Sequence, residues 1–298
     1  MHPNQPISSL GGQPSSWPSR APTYHPFGVQ LDAGQLISRT FSLWSADFWR
    51  LVGINALPLA LMLGLGVVGG VAAFALYGVG IAGALDGNIG DAMLLPLIAG
   101  GVGFSIVCGL LYVAGQVGSY VAVEEMVRGE PRRIGAFAAI GAGLSSMPAV
   151  IGIYLFFGVL STLLMSPVMG LGVAAAVSES WMLGGAAALV AMPCFVLLCY
   201  ASLRLLTVAP VAAVIEELGP IAALRRSLEL TKGNTVDLFI AALVFGCAMF
   251  GINMVVGFFG LIPFLGIFVQ LAAMVLFGAL QSVWLTLAYA GLRDRLGN

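Results

Sequence analysis

Six long apolar segments divide this chain and restrict it to folds that keep most side chains away from water. They lie near residues 51–83, 92–123, 148–176, 182–209, 237–262 and 264–290. Each exceeds the roughly 20 apolar residues that a helix needs to cross the hydrocarbon core of a bilayer. The segments are continuously apolar and lack the alternation of lipid-facing strands, which argues against a barrel. We therefore predict an all-α polytopic membrane protein with six transmembrane helices.

The low charge content supports the same fold class. Charged residues make up 8% of the 298 residues, whereas a soluble domain typically carries about 25%. A soluble protein of this size could not cover its surface with so few charges. The chain also contains no basic run dense enough for nucleic acid, so we predict no nucleic-acid partner.

The basic residues all fall on one side of the predicted membrane. They precede the first segment, follow the second or sixth, or lie at or after the end of the fourth: Arg20, Arg39, Arg50, Arg128, Arg132, Arg133, Arg204, Arg225, Arg226, Lys232, Arg293 and Arg295. The connections on the other side carry only Asp86, Asp91 and Glu179 as charged residues. Because short cytoplasmic loops are the ones enriched in Lys and Arg, we predict that both termini are cytoplasmic.

The first 28 residues differ from the rest of the chain. They are rich in Pro, Ser, Gly and Gln, and they lack the basic start and apolar core of a signal peptide. We predict that residues 1–28 form a disordered cytoplasmic tail and that residues 29–298 form a six-helix integral membrane domain.

Three shorter segments precede pairs of apolar segments. In residues 31–48, apolar side chains share one helical face and polar side chains the other: Leu36, Ile37, Phe41, Trp44 and Phe48 against Asp32, Gln35, Ser38, Arg39, Ser42 and Ser45. Residues 220–231 repeat this helical period, and residues 131–143 hold a weaker version. We predict that these segments are amphipathic helices at the cytoplasmic surface of the membrane.

The same segments suggest an internal repeat. Residues 38–43 match residues 225–230 in the order of basic, hydroxyl and apolar side chains. Each short segment is followed by two spans, so each unit begins and ends on the same side. We predict three parallel repeats related by an axis along the membrane normal, the middle one the least similar.

The sequence contains few residues that could carry out catalysis. The only two histidines lie in the tail, and the motifs for phosphate loops, dinucleotides and zinc hydrolases are absent. The four cysteines lie inside apolar segments, where they are interpreted as packing residues. We therefore predict no enzymatic activity, no metal and no cofactor.

Two acid pairs stand at the cytoplasmic ends of spans, Glu124-Glu125 and Glu216-Glu217. They could bind a divalent ion, or they could pair with arginines of the inner loops. Consecutive helical residues point about 100° apart, which favours the ion pairs. The expected partners are Arg128, Arg132, Arg225 and Arg226.

Five basic residues are candidates for contact with lipid headgroups or a partner protein: Arg39, Arg204, Arg225, Arg226 and Lys232. Arg204 ends a strongly apolar stretch, and an ionisable residue at membrane depth is a functional candidate. Two interpretations remain open for it. Its long side chain either reaches the inner interface or points inward toward a lipid phosphate or a carboxylate such as Glu124.

Residues 215–234 carry a family resemblance, with a Glu…Gly-Pro…Ala-Leu-x-Arg-Ser…Leu-Thr-Lys-Gly core. This segment resembles a signature of bacterial polytopic proteins with a glycerophosphoryl diester phosphodiesterase membrane domain and of the related YciC-like group. Residues 37–44 and 289–293 are similar to other landmarks of the family, and the resemblance covers most of residues 30–295. It implies a bacterial cytoplasmic (inner) membrane location. In some members this domain is fused to a catalytic phosphodiesterase domain, whose motifs are not found here.

Three functional hypotheses follow. The first is a non-enzymatic membrane module that organises membrane lipids or a membrane-protein partner. The second is a transporter or lipid-translocating protein, for which repeats and kinking prolines would be typical. The third, an enzyme acting on glycerophosphodiesters, depends on the family name alone and lacks catalytic groups. The first is favoured.

Overall fold

The computed structural model describes residues 33–84, 91–129, 134–260, 262 and 265–297. Within them it contains helices and no strand: α1 Ala33–Ala46, α2 Phe48–Ala84, α3 Asp91–Arg128, α4 Ala136–Gly143, α5 Met147–Ser178, α6 Trp181–Leu205, α7 Ala209–Ile215, α8 Pro220–Thr231, α9 Thr235–Phe259 and α10 Leu265–Gly297. A 3₁₀ turn, Leu144–Ser146, joins α4 to α5. The all-α prediction is confirmed. The predicted tail 1–28 and the residues Arg132 and Arg133 lie outside the described residues.

Six stretches of helix are long and apolar enough to cross a membrane, which confirms the six predicted spans. They are Phe48–Val71, Ala99–Arg128, Ala136–Ser178, Trp181–Ile215, Thr235–Phe259 and Leu265–Leu296. The chain is therefore an integral, multi-pass membrane protein.

The fourth apolar segment is broken, which the sequence pattern did not predict. Helix α6 ends at Leu205 and α7 begins at Ala209, with Pro210 in its first turn. Proline has no backbone N–H, so the carbonyl of Leu206 cannot form the usual bond to the residue four positions on. The short helix α7 continues the path of α6, and its residues from Ala209 to Val214 are all buried.

The centre of the molecule is formed by α3, α7 and α10, which contact one another. Helices α3 and α10 are the second arms of the first and third hairpins, and α7 is the last part of the second arm of the middle hairpin. The three hairpins therefore meet through their second arms. Large side chains of α3 and α10 are buried in this centre, including the fully buried Tyr120 and Tyr289. The hairpin formed by α5 and α6 lies outside this centre along most of its length.

The three short helices α1, α4 and α8 bury residues at the same helical spacing. The buried or partly buried positions follow i, i+4 and i+7: Leu36, Thr40 and Leu43; Ala139, Gly143 and Ser146; Ala223, Ser227 and Leu230. The large apolar residue at i+5 is exposed in each case: Phe41, Leu144 and Leu228. This shared register, together with the repeated order of short helix and hairpin, aligns the faint middle repeat with the other two.

Each short helix packs against the hairpin of the preceding unit. Helix α4 contacts α2 and α3, and α8 contacts α5, α6 and α7. Helix α1 contacts α9 and α10, which closes the order into a ring. Glycine allows the close approach of α4 to α3. A Cβ on Gly118 would lie 2.8 Å from Cγ1 and 3.0 Å from Cα of Ile140, and a Cβ on Gly143 would lie closer still to Cγ1 of Val117.

The short helices lie at one end of the molecule, beside the C-terminal ends of α3, α7 and α10. We call this end the basic end, because every described Lys and Arg belongs to the short helices, to the start of α2, to the C-terminal ends of α3, α6 or α10, or to Lys232 after α8. The charge asymmetry predicted from the sequence is thus a property of the folded molecule.

Candidate functional site

The ends of the three hairpins meet in one group of charged and polar side chains. Glu124 of α3 pairs with Arg128 Nε at 2.9 Å and lies 3.7 Å from an Arg293 guanidinium nitrogen. Glu216, which follows α7, accepts hydrogen bonds from Tyr289 Oη at 2.6 Å and from Arg226 Nε at 3.2 Å. We call these six residues the exit cluster. It connects all three units through side chains that are mostly shielded from solvent.

Ion pairing, as the sequence predicted, accounts for three of the four acids, whereas Glu217 is exposed and forms no ion pair with any described residue. Arg128 and Arg226 are partners of Glu124 and Glu216. Glu125, in contrast, pairs with Arg50 at the start of α2, a contact across 75 residues that local spacing could not reveal. The two members of the first pair thus face different arginines, and each is neutralised separately.

The side chain of Arg204 lies against the C-terminal turn of α8. It donates from Nε to Thr231 Oγ1 at 3.2 Å and from a terminal nitrogen to the Leu228 carbonyl at 3.0 Å. Its other terminal nitrogen donates to the hydroxyl of Tyr200 at 3.0 Å. The expected alternative partner Glu124 is instead bound to Arg128. Arg204 thus stabilises the last turn of α8, where helix carbonyls lack internal partners.

Helix α8 and the residue that follows it carry three more of the predicted residues, on two different sides. Arg226 turns toward the exit cluster. Arg225 and Lys232 are exposed and make no ion pair with any described residue. They share a stripe with Ile221 and Leu228, whose side chains are 74% and 39% exposed. Of the three large apolar residues at helical spacing in α8, Ile221, Leu224 and Leu228, only Leu224 is buried in the protein.

Arg39 lies apart from the other four predicted residues. It is a half-buried residue of α1, which packs on α9 and α10, whereas α8 packs on α5, α6 and α7. Arg39 makes no ion pair within the described part of the chain. The structure therefore brings together Arg204, Arg225, Arg226 and Lys232, and it places Arg39 on another side of the ring.

A second polar group lies between α2, α3 and α10. Asn55 donates to Ser119 Oγ at 2.9 Å, and Ser282 donates to Gln116 Oε1 at 3.0 Å. A cavity of about 30 Å³ adjoins Asn55 and Gln116, which is enough for one water molecule. These bonds hold helices together, as polar groups do in membranes.

Metal-ligating side chains are scattered rather than grouped. Among the residues that the structure describes, no three His, Cys, Asp or Glu side chains are placed to hold one ion. The four cysteines are free thiols in separate places along α3, α6 and α9.

Comparisons with known proteins give no relative for this arrangement. No protein-family model, no curated protein and no solved structure matches the chain. The resemblance of residues 215–234 to the phosphodiesterase membrane-domain family accordingly stays a prediction.

Proposed function

We propose that this protein is a non-enzymatic module of the bacterial inner membrane that gathers anionic lipids at its cytoplasmic surface. The observation that carries the proposal is the outward stripe of α8, in which two cations without a carboxylate partner in the described residues alternate with two exposed apolar side chains. The positive-inside bias supports a cytoplasmic location for the basic end and for both termini.

The geometry of α8 suits a helix that lies at the membrane surface. Its side with Ala223 and Ser227 is buried in the protein. Ile221 and Leu228 are exposed on the opposite side, and the exposed Arg225 and Lys232 lie beside them. An interfacial helix combines these features, with apolar side chains in the lipid and cations among the headgroups.

The charges of the stripe favour anionic headgroups over neutral ones. A Lys or Arg near an anionic leaflet contributes about 1 kcal/mol each. The exposed Glu229 lies 3.7 Å from Arg226, so its charge is partly offset by a residue outside the stripe. The signature-like segment 215–234 spans α8, and the resemblance supports the assignment of this helix to the functional surface.

Lipid enrichment around the reconstituted protein tests this proposal. In nanodiscs of mixed phosphatidylglycerol and phosphatidylcholine, spin-labelled phosphatidylglycerol should be preferentially immobilised. The change Arg225→Gln with Lys232→Gln should reduce this preference by about fivefold for each cation removed, and added salt should reduce it further.

The matched control is Arg295→Gln, which removes a cation of the basic end that is bound to Asn234 and Asp237. It should change the preference much less than Arg225→Gln. Equal effects of the two substitutions would contradict a role for the α8 stripe.

Lipid translocation is the second candidate function, favoured by the break between α6 and α7. Interrupted spans form the substrate sites of many transporters, although those sites lie near the bilayer midplane. Here the break lies near the basic end, beside α8. Vesicles containing the protein should show accelerated transfer of fluorescent phospholipid between leaflets if this function exists, and no acceleration would exclude it.

A further inference from the structure

Arg204 is held in place before any ligand arrives. Three of its five N–H groups are used by Thr231, Tyr200 and the Leu228 carbonyl. Its own backbone carbonyl accepts a hydrogen bond from Ser227. The guanidinium is therefore fixed against α8 from two sides. Two N–H groups remain available, since arginine has five donors in a rigid plane.

The charge of Arg204 is not balanced by a neighbouring acid. No carboxylate of the described residues forms an ion pair with it, and the side chain is only half-buried. The adjoining Tyr200 is 51% exposed. Because the Tyr200 hydroxyl accepts a bond from Arg204, its own proton remains free to donate. The two side chains thus offer donors without an acceptor.

An apolar path leads away from this pair along α6. Val196 and Leu189 lie on the same helical side as Tyr200, and they are 60% and 78% exposed. From Arg204 to Leu189 the helix rises about 22 Å, more than half of the roughly 30 Å hydrocarbon core. The most apolar stretch of this span contains no buried residue. A lipid can therefore reach Arg204 sideways from the bilayer.

From this arrangement we infer that Arg204 and Tyr200 bind the phosphate group of a single phospholipid, whose acyl chains lie along α6. Arginine matches the geometry of phosphate oxygens with paired N–H donors. The inference rests on the proposed function, because it requires the basic end to face headgroups of the inner leaflet. The proposed function concerns a general enrichment of anionic lipids around α8, whereas this site binds one lipid molecule.

Thermal unfolding in detergent with added ligand tests the site. Dihexanoyl phosphatidylglycerol should raise the unfolding temperature of the delipidated protein, because a ligand that binds only the folded state stabilises it. Arg204→Lys should weaken this lipid by on the order of tenfold and Tyr200→Phe by less, since each removes bonds to a charged group. Each shift is measured against the same variant without lipid.

Glu216→Gln separates binding from stability. Glu216 accepts hydrogen bonds from Tyr289 and Arg226 and not from Arg204, so this change should lower the unfolding temperature, yet it should keep the lipid-induced shift. Arg225→Gln with Lys232→Gln should also keep the shift, even where it abolishes general lipid enrichment. A shift lost in these variants but kept in Arg204→Lys would overturn the site.

The source of the phosphate is decided by two further ligands. Inorganic phosphate alone should give a much smaller shift than the lipid, and dihexanoylglycerol, which lacks phosphate, should give none. An equal shift with inorganic phosphate would support a phosphate site and overturn its assignment to a lipid. An equal shift with dihexanoylglycerol, or no shift with any of the three ligands, would overturn the inference itself.

Discussion

The central helices α3 and α10 differ from the outer hairpin of α5 and α6 in both burial and hydropathy. In the most apolar stretch of each span, 56% of the residues of α3 and of α10 are buried, against 11% for the span of α5 and none for that of α6. Yet the buried helices are the less apolar ones, with mean hydropathy 1.7 and 1.8 against 2.1 and 2.2. In lipid, apolarity marks exposure, because acyl chains are as apolar as leucine.

The polar and small residues of the two regions differ in the same way. In the centre, Asn55 and Gln116 bond to side chains of other helices. In the outer hairpin, Ser161, Thr162 and Ser166 bond to carbonyls of their own helix. Polar side chains therefore link different helices in the centre, whereas in the hairpin their hydrogen bonds stay within one helix.

Substitution of glycine should give the largest difference in unfolding free energy between the centre and the hairpin. Gly118→Ala in α3 would place a Cβ 3.0 Å from the Ile140 backbone Cα and should lower the free energy of unfolding by about 3 kcal/mol, since overpacking costs about 1–3. Gly158→Ala in α5 has nothing within 4 Å and should leave it unchanged or slightly raised. Unfolding in mixtures of SDS and mild detergent measures both; similar losses would remove the distinction between centre and hairpin.

A smaller difference is expected between two acids that face Arg226. Glu216 accepts bonds from Arg226 and Tyr289 inside the exit cluster, whereas Glu229 is 62% exposed and lies 3.7 Å from Arg226. Glu216→Gln should cost about 2 kcal/mol, since bonds to charged groups contribute about 1.5–3. Glu229→Gln should cost well under about 1 kcal/mol, as exposed pairs do. Unfolding curves of both variants, recorded at increasing salt, measure the two losses of unfolding free energy. A larger loss for Glu229→Gln than for Glu216→Gln would contradict a role for the exit cluster.

Substitution of side-chain amides should give the smallest difference in unfolding free energy. Gln116→Leu removes a bond between α3 and α10 and should lower the unfolding free energy by about 1 kcal/mol. Asn253→Leu removes only a bond to the Met249 carbonyl within α9 and should have no measurable effect. Thermal midpoints of the two purified variants check this, and a loss in Asn253→Leu alone would contradict it.

Much of the fold was accessible from the sequence, because spans and short helices are local patterns. All six spans were found, and the segment 220–231 has the same bounds as α8. The buried sides of the short helices were not found. They are formed by residues such as Thr40, Gly143 and Ser227, which carry no hydrophobic signal and are selected by close helix contact.

The candidate site was predictable only in part, for a related reason. Four of the five basic residues lie together because α8 and the end of α6 are both near the basic end. Their different roles depend on contacts between distant segments, such as Tyr289 with Glu216 and Arg204 with Leu228. Spacing along one chain does not contain such pairings.

The ring of short helices has a consequence for assembly. A head-to-tail contact that repeats by rotation either closes or continues into an open chain of copies. Here α1 occupies on the third hairpin the place that α4 and α8 occupy on the first and second. One polypeptide is thus equivalent to a closed cyclic trimer of three covalently joined subunits. Because every such contact is made within the molecule, the chain has no unused copy of this interface through which it would polymerise.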